Sequence, residues 1–218
     1  MFPAECAPTR RTFLTSAAAF TTAAGGLALL SEASFSADSD INIIGPKHGY
    51  SPQIGTLVSM MAWMRAAVLT SVKGMSEKDL DFLLDPNANT IGSLLMHLAA
   101  TDRIYQINTF EGNPLSELPA SYKEKWGAAM ELGAAARKSV KGHDLDYYLK
   151  LLSETREQTL AEFRKRDDNW LMAVDKTWGW GPTDNYCKWF HVCEHESNHN
   201  GQIKLLRKRI PGAKQDSE

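Results

Sequence analysis

The chain has 218 residues, 43% hydrophobic and 23% charged, with a formal net charge of −2. That composition supplies one ordinary core and argues against global disorder. The absence of a basic excess argues against a nucleic-acid binder, and three cysteines do not make a disulfide scaffold.

The first 37 residues read as an address. Arg10-Arg11 precede Phe13-Leu14 and a weakly apolar, small-residue run from Ala17 to Leu30, with small residues suited to cleavage near 33–37. This is the pattern of a twin-arginine export signal. The run falls short of the ~20 strongly apolar residues of a stable membrane span, so no stable membrane anchor is expected once the signal is removed. The expected location is periplasmic or secreted. Cys6 lies inside the signal. Cys187 and Cys193 remain, six apart on one expected helix and badly placed for a disulfide.

Residues 38–50 carry Gly45-Pro46 and Gly49 and read as a linker. Leu57, Met60, Met61, Met64, Val68 and Val72 then recur every three or four residues, which predicts a helix over about 51–73, stopped by Gly74. The 85–90 segment is a turn. Asn89 or Thr90 caps a second helix that runs to about Phe110, with Gly112-Asn113-Pro114 behind it. Residues 114–142 are broken by Pro119 and three glycines around a short helical stretch near 123–137. His143-Asp144 opens a third long helix to about Arg166. Trp178-Gly-Trp180-Gly-Pro182 is a loop, preceded by a short extended segment, and Thr183 or Asp184 caps a fourth helix to about Ile210. A polar tail closes the chain at 213–218. No convincing strand alternation is present. Four long helices over 51–212 argue for an all-α four-helix bundle.

The last helix carries His191, His195 and His199 at i, i+4 and i+8. At about 100° per residue, His195 and His199 share a narrow sector with Val192, Ile203, Leu206 and Ile210, while His191 sits at its edge. Two imidazoles in register on an inward face are metal ligands or satisfied core residues. His97 lies at the border of the second helix's apolar stripe, where spacing alone favours the surface. His48 and His143 read as solvated or capping. Asp102, on the apolar face five residues after His97, is a carboxylate that orients a ligand imidazole or an arginine's partner. Trp178, Trp180 and Trp189 are packing residues or line a pocket mouth. The basic cluster from Lys204 to Arg209 complements a helix dipole.

His195-Glu196-Ser197-Asn198-His199 also matches the H-E-x-x-H pattern of zincin proteases, in which the glutamate is general base. The extended form fails, because Leu205 stands where a third histidine belongs, and no sheet is available as a substrate edge. Glu196 nevertheless falls on the inward sector, as either a partner that orients a ligand or a candidate catalytic base.

Two segments carry a resemblance. Ile91-Gly-Ser-Leu-Leu-Met-His97-Leu and His195-Glu-Ser-Asn-His199-Asn-Gly-Gln-Ile resemble, in order and spacing, the DinB-like superfamily across about 51–212. The resemblance implies a bundle of up-down-down-up topology with a divalent metal on His97, His195 and His199. It lifts His97 from an edge residue to an expected ligand. It also implies a small-molecule substrate, with a low-molecular-weight thiol in some members, and is compatible with a homodimer. The export signal departs from the usual cytosolic setting of such thiols. Zinc suits three imidazoles best, and nickel and iron are compatible. The expected function is that of a metalloenzyme with an open metal position activating a thiol or water for transfer or hydrolysis. The alternative is a non-catalytic metal-binding or stress-associated bundle.

Overall fold

The structure, a computed structural model, describes residues 40–213. The expected export signal and all but the first residue of the polar tail lie outside the described residues. Four long helices dominate: α1 (Pro52–Val72), α3 (Ile91–Thr109), α6 (Leu145–Phe163) and α8 (Asn185–Arg207). Between them stand the short helices α2 (Glu77–Leu80), α4 (Ala120–Glu131), α5 (Gly133–Ser139) and α7 (Asp168–Leu171). A ribbon of two-residue strands, β1 (Val174–Asp175) and β2 (Thr183–Asp184), pairs antiparallel.

The long helices start where side chains can satisfy their first amides. Thr90 accepts from Ser93 N, Asp144 from Tyr147 N and Asp184 from Cys187 N. α1 is capped across the fold instead. Asp168 of α7 accepts from Ser51 Oγ at 2.5 Å and from the amides of Gln53 and Ile54 at 3.1 and 3.2 Å. A carboxylate at a helix N-terminus faces the positive end of the dipole. α2 was not expected; Ser76 and Asp79 close a capping box around it.

End-to-end contacts fix the topology. Gly92 lies against Tyr148 at the starts of α3 and α6, and Phe110 meets Phe163 at their ends, so these helices run parallel. Arg207 Nη1 donates to Ser71 O where α1 and α8 both finish, so they too run parallel. α3 opposes α8: Trp189 Nε1 near the start of α8 donates to Thr109 Oγ1 at the end of α3. The order is up-down-down-up. Joining two parallel helices requires a return path, and α4 and α5 supply it, broken by Leu132 at φ 57°.

The core between the helices is built from side chains such as Leu57, Met61, Val68, Leu94, Leu98, Leu152, Val192 and Ile203. α1 is long and apolar enough to cross a bilayer, yet it packs here against α8. The described part of the expected linker is not free either. Gly45 N donates to Ser59 Oγ, and Lys47 passes so close to α1 that a Cβ on Gly55 would sit 2.5 Å from its amide nitrogen.

Candidate metal centre

α3 and α8 bring His97, His195 and His199 together. His97 and His199 are buried, and His195 is half-buried. The His195 Nε2 atom lies 2.9 Å from His97 Nε2 and 3.0 Å from His199 Nε2. The outer nitrogens of two rings are already committed. His97 Nδ1–H donates to Ala129 O at 2.9 Å, and His199 Nδ1–H donates to Gln202 Oε1 at 3.2 Å. Those bonds select the tautomer that leaves the Nε2 lone pairs turned toward the centre.

Electrostatics agrees with three neutral rings. Burial, then the neighbouring His199, pulls the His97 imidazole down to about 4. Burial, then the three surrounding histidines, pulls His195 down to about 3. Burial also lowers His199, against the opposing effects of Gln202 and Glu194. At neutral pH the cluster therefore offers lone pairs rather than charges.

This donor set fits a divalent ion. Zinc–imidazole bonds of about 2.0–2.1 Å place the nitrogens of a tetrahedral site roughly 3.3 Å apart, within a few tenths of an ångström of the separations seen. Among the described residues no other group of three histidine, cysteine or carboxylate side chains converges in this way.

His97 is 5% exposed, which corrects the surface position that spacing alone favours. α3 is covered on almost every side because α4 packs over the face its stripe leaves open. His191 flanks the trio. Its ring centroid lies 5.2 Å from that of His195, and its Nδ1–H donates to Glu194 Oε1 at 2.6 Å. Trp180, 59% exposed, stands edge-on to His191 at 5.0 Å. Trp178 and Trp189 are buried packing residues. His48 is exposed, and His143 stacks on Tyr147; neither approaches the trio.

Asp102 and Glu196 are fully buried, but they face guanidinium groups. Asp102 Oδ2 lies 3.2 Å from both Arg65 Nη2 and Arg156 Nε, and Glu196 Oε1 lies 2.5 Å from Arg65 Nη2 and Arg156 Nη2. Asp102 thus takes the arginine-partner role of the two open to it. Burial would raise the Glu196 carboxyl, but Arg65 and Arg156 outweigh it and hold it below the ordinary carboxylate value. Oε1 is thus held by two cations, while Oε2 is buried without a hydrogen-bond partner, so the carboxylate is anchored through one of its two oxygens. Arg65 and Arg156 carry no local motif. Their signal is a charge on an apolar stripe: Arg65 lies between Met61 and Val68, and Arg156 between Leu152 and Leu160.

A bundle whose antiparallel second and last long helices, α3 and α8, converge three neutral imidazoles defines a DinB-like metal-site protein. The family model described as Mycothiol-S-transferase matches residues 56–212, and the chain belongs to that family, part of the DinB-like group of metal-dependent helical proteins. No curated protein matches the chain.

Proposed function

We propose that the chain is an exported, metal-dependent S-transferase that joins the sulfur of a low-molecular-weight thiol, mycothiol by family, to a small electrophile. The observation that carries the reading is the convergence of three Nε2 lone pairs from His97, His195 and His199. Zinc is the first choice of metal, with nickel and iron compatible. A divalent ion held there supplies Lewis acidity, which lowers the pKa of a thiol or water.

The protein's own groups do the rest. Burial keeps the three imidazoles neutral, and Ala129 O and Gln202 hold two of their protons on the outer nitrogens. His195 is the least buried of the three, so approach is from its side, past His191 and Trp180. The reactive sulfur comes from the substrate. Cys193 is buried, which pushes its thiol up to about 11, and neither free cysteine belongs to the trio. In the net reaction a thiol S–H and an electrophile–leaving-group bond break, a thioether bond forms, and the proton departs with the leaving group. The Arg10-Arg11 pair and the apolar run behind it support export. A homodimer remains part of the reading through the family.

The test is thioether formation from mycothiol and a chloroaromatic electrophile, followed by mass spectrometry. Zinc-loaded protein accelerates it, and chelator-treated protein and His195→Ala do not. Loaded protein that binds zinc but accelerates no thiol reaction favours the non-catalytic metal-binding bundle. Export is read by fractionation, with Arg10→Lys/Arg11→Lys retained in the cytoplasm.

A further inference from the structure

The middle of the bundle holds four charged side chains, one from each long helix: Arg65 (α1), Asp102 (α3), Arg156 (α6) and Glu196 (α8). None is more than 8% exposed. Two positive and two negative groups leave the cluster neutral. The carboxylates stand on the two helices that carry the histidines; Asp102 follows His97 by five residues, and Glu196 adjoins His195. The guanidiniums come from the two helices that carry none.

The bonds are reciprocal. Arg65 contacts Glu196 through Nε (3.1 Å) and Nη2 (2.5 Å), reaches Asp102 through Nη2 (3.2 Å), and donates Nη1 to Leu152 O on α6 at 2.7 Å. Arg156 contacts Asp102 through Nε (3.2 Å) and Glu196 through Nη2 (2.5 Å), and donates Nη1 to Met61 O on α1 at 3.2 Å. Each arginine therefore bridges both carboxylates and clasps the backbone of the other arginine's helix. Sliding α8 by one turn, or rotating it by one residue, breaks these bonds together.

Apolar helix faces tolerate such slips, because ridges fit several grooves. A buried ion-pair cluster does not, and its advantage over packed hydrophobic residues lies in register rather than in net stability. Nitrogens that must meet within about 3 Å need that register more than the core does. We propose that Arg65, Asp102, Arg156 and Glu196 are positioning residues for the metal centre, an interhelical lock that sets the height and rotation of α3 and α8 so that the three imidazoles converge. The proposal rests on the trio being the metal site.

The lock predicts that stability and metal affinity separate. Arg65→Met/Asp102→Leu/Arg156→Met/Glu196→Leu keeps the volume apolar, so the metal-free variant unfolds in urea at or above the wild-type midpoint. Its zinc affinity, measured with zinc alone against a chromophoric chelator, falls tenfold to a hundredfold, the range typical of lost ligand-orienting partners. Arg156→Lys keeps the charge but cannot bridge both carboxylates and Met61 O, and it loses several-fold in affinity. If the quadruple variant does not fold, Arg156→Lys decides. Zinc affinity within twofold of wild type in the deciding variant overturns the lock and leaves the ligand assignment standing. A fall in affinity matched by an equal loss of metal-free stability marks general loosening and also overturns it. Wild-type protein that binds no zinc, nickel or iron overturns the ligand assignment, and the lock with it.

Discussion

In metal-free protein, the stability of the fold should fall as the pH drops from 7 to 5, and His97 should account for a definable share of the loss. Its folded imidazole titrates at about 4, whereas an unfolded one titrates near 6.5. Above pH 7 neither state binds the proton and the site contributes nothing. Below 6.5 the unfolded chain takes up a proton that the folded chain refuses, so unfolding is favoured until the pH reaches about 4, where the effect levels off. At about 1.4 kcal/mol per pH unit of full disparity, His97 removes roughly 2 kcal/mol between pH 7 and 5. His195, held at about 3, acts in the same direction. The assay is urea unfolding of chelator-treated protein at half-unit pH steps, beside His97→Gln, which removes the titrating group from both states. The variant's profile should be flatter by about 2 kcal/mol over that window. Equal slopes in the two proteins would refute the account of His97 as a neutral imidazole kept from protonation by burial.

Three other outcomes are expected. Gly92→Ala should destabilise the protein by about 1–3 kcal/mol in urea unfolding despite alanine's better helix propensity, since its Cβ would fall 2.7 Å from the Tyr148 hydroxyl and 2.8 Å from Cζ; a gain in stability would show that α3 and α6 do not meet there. Asp168→Ala should cost about 1–2 kcal/mol, as loss of a helix cap does, with amide exchange rising first at Gln53 and Ile54. Gln202→Ala should weaken zinc binding about tenfold, the low end for a lost orienting bond, because Gln202 is exposed and its contact with His199 is long; unchanged affinity would show that this bond does not orient the ring.

The long helices were legible because their signals are local. Thr90, Asp144 and Asp184 cap where a polar residue precedes an apolar stripe, and the observed ends differ from the expected ones by only a few residues. α2 had a readable capping box in Ser76 and Asp79, overshadowed by Gly74 and the turn beyond it. The inward placement of His199 followed from helical phase. That of His97 did not, because phase separates core from solvent only when one side of a helix meets water, and α4 removes that side from α3. The ion-pair lock was illegible for a different reason. Its members lie 37 to 131 residues apart, and only packing reveals which carboxylate each arginine meets.

The parallel pairing of α3 and α6 has a chemical consequence. A 19-residue helix spans about 28 Å, so the chain leaving Thr109 must travel that far back before α6 can begin. The segment that makes this journey is the one whose carbonyl, at Ala129, receives the His97 proton. The crossover is thus both plumbing and chemistry: the connectivity of the bundle decides which nitrogen of His97 stays bare. An insertion or deletion within residues 110–144 would act like a ligand substitution made at a distance. In chains of this architecture, the length of that connection carries information about the metal centre that an alignment of the histidines alone would miss.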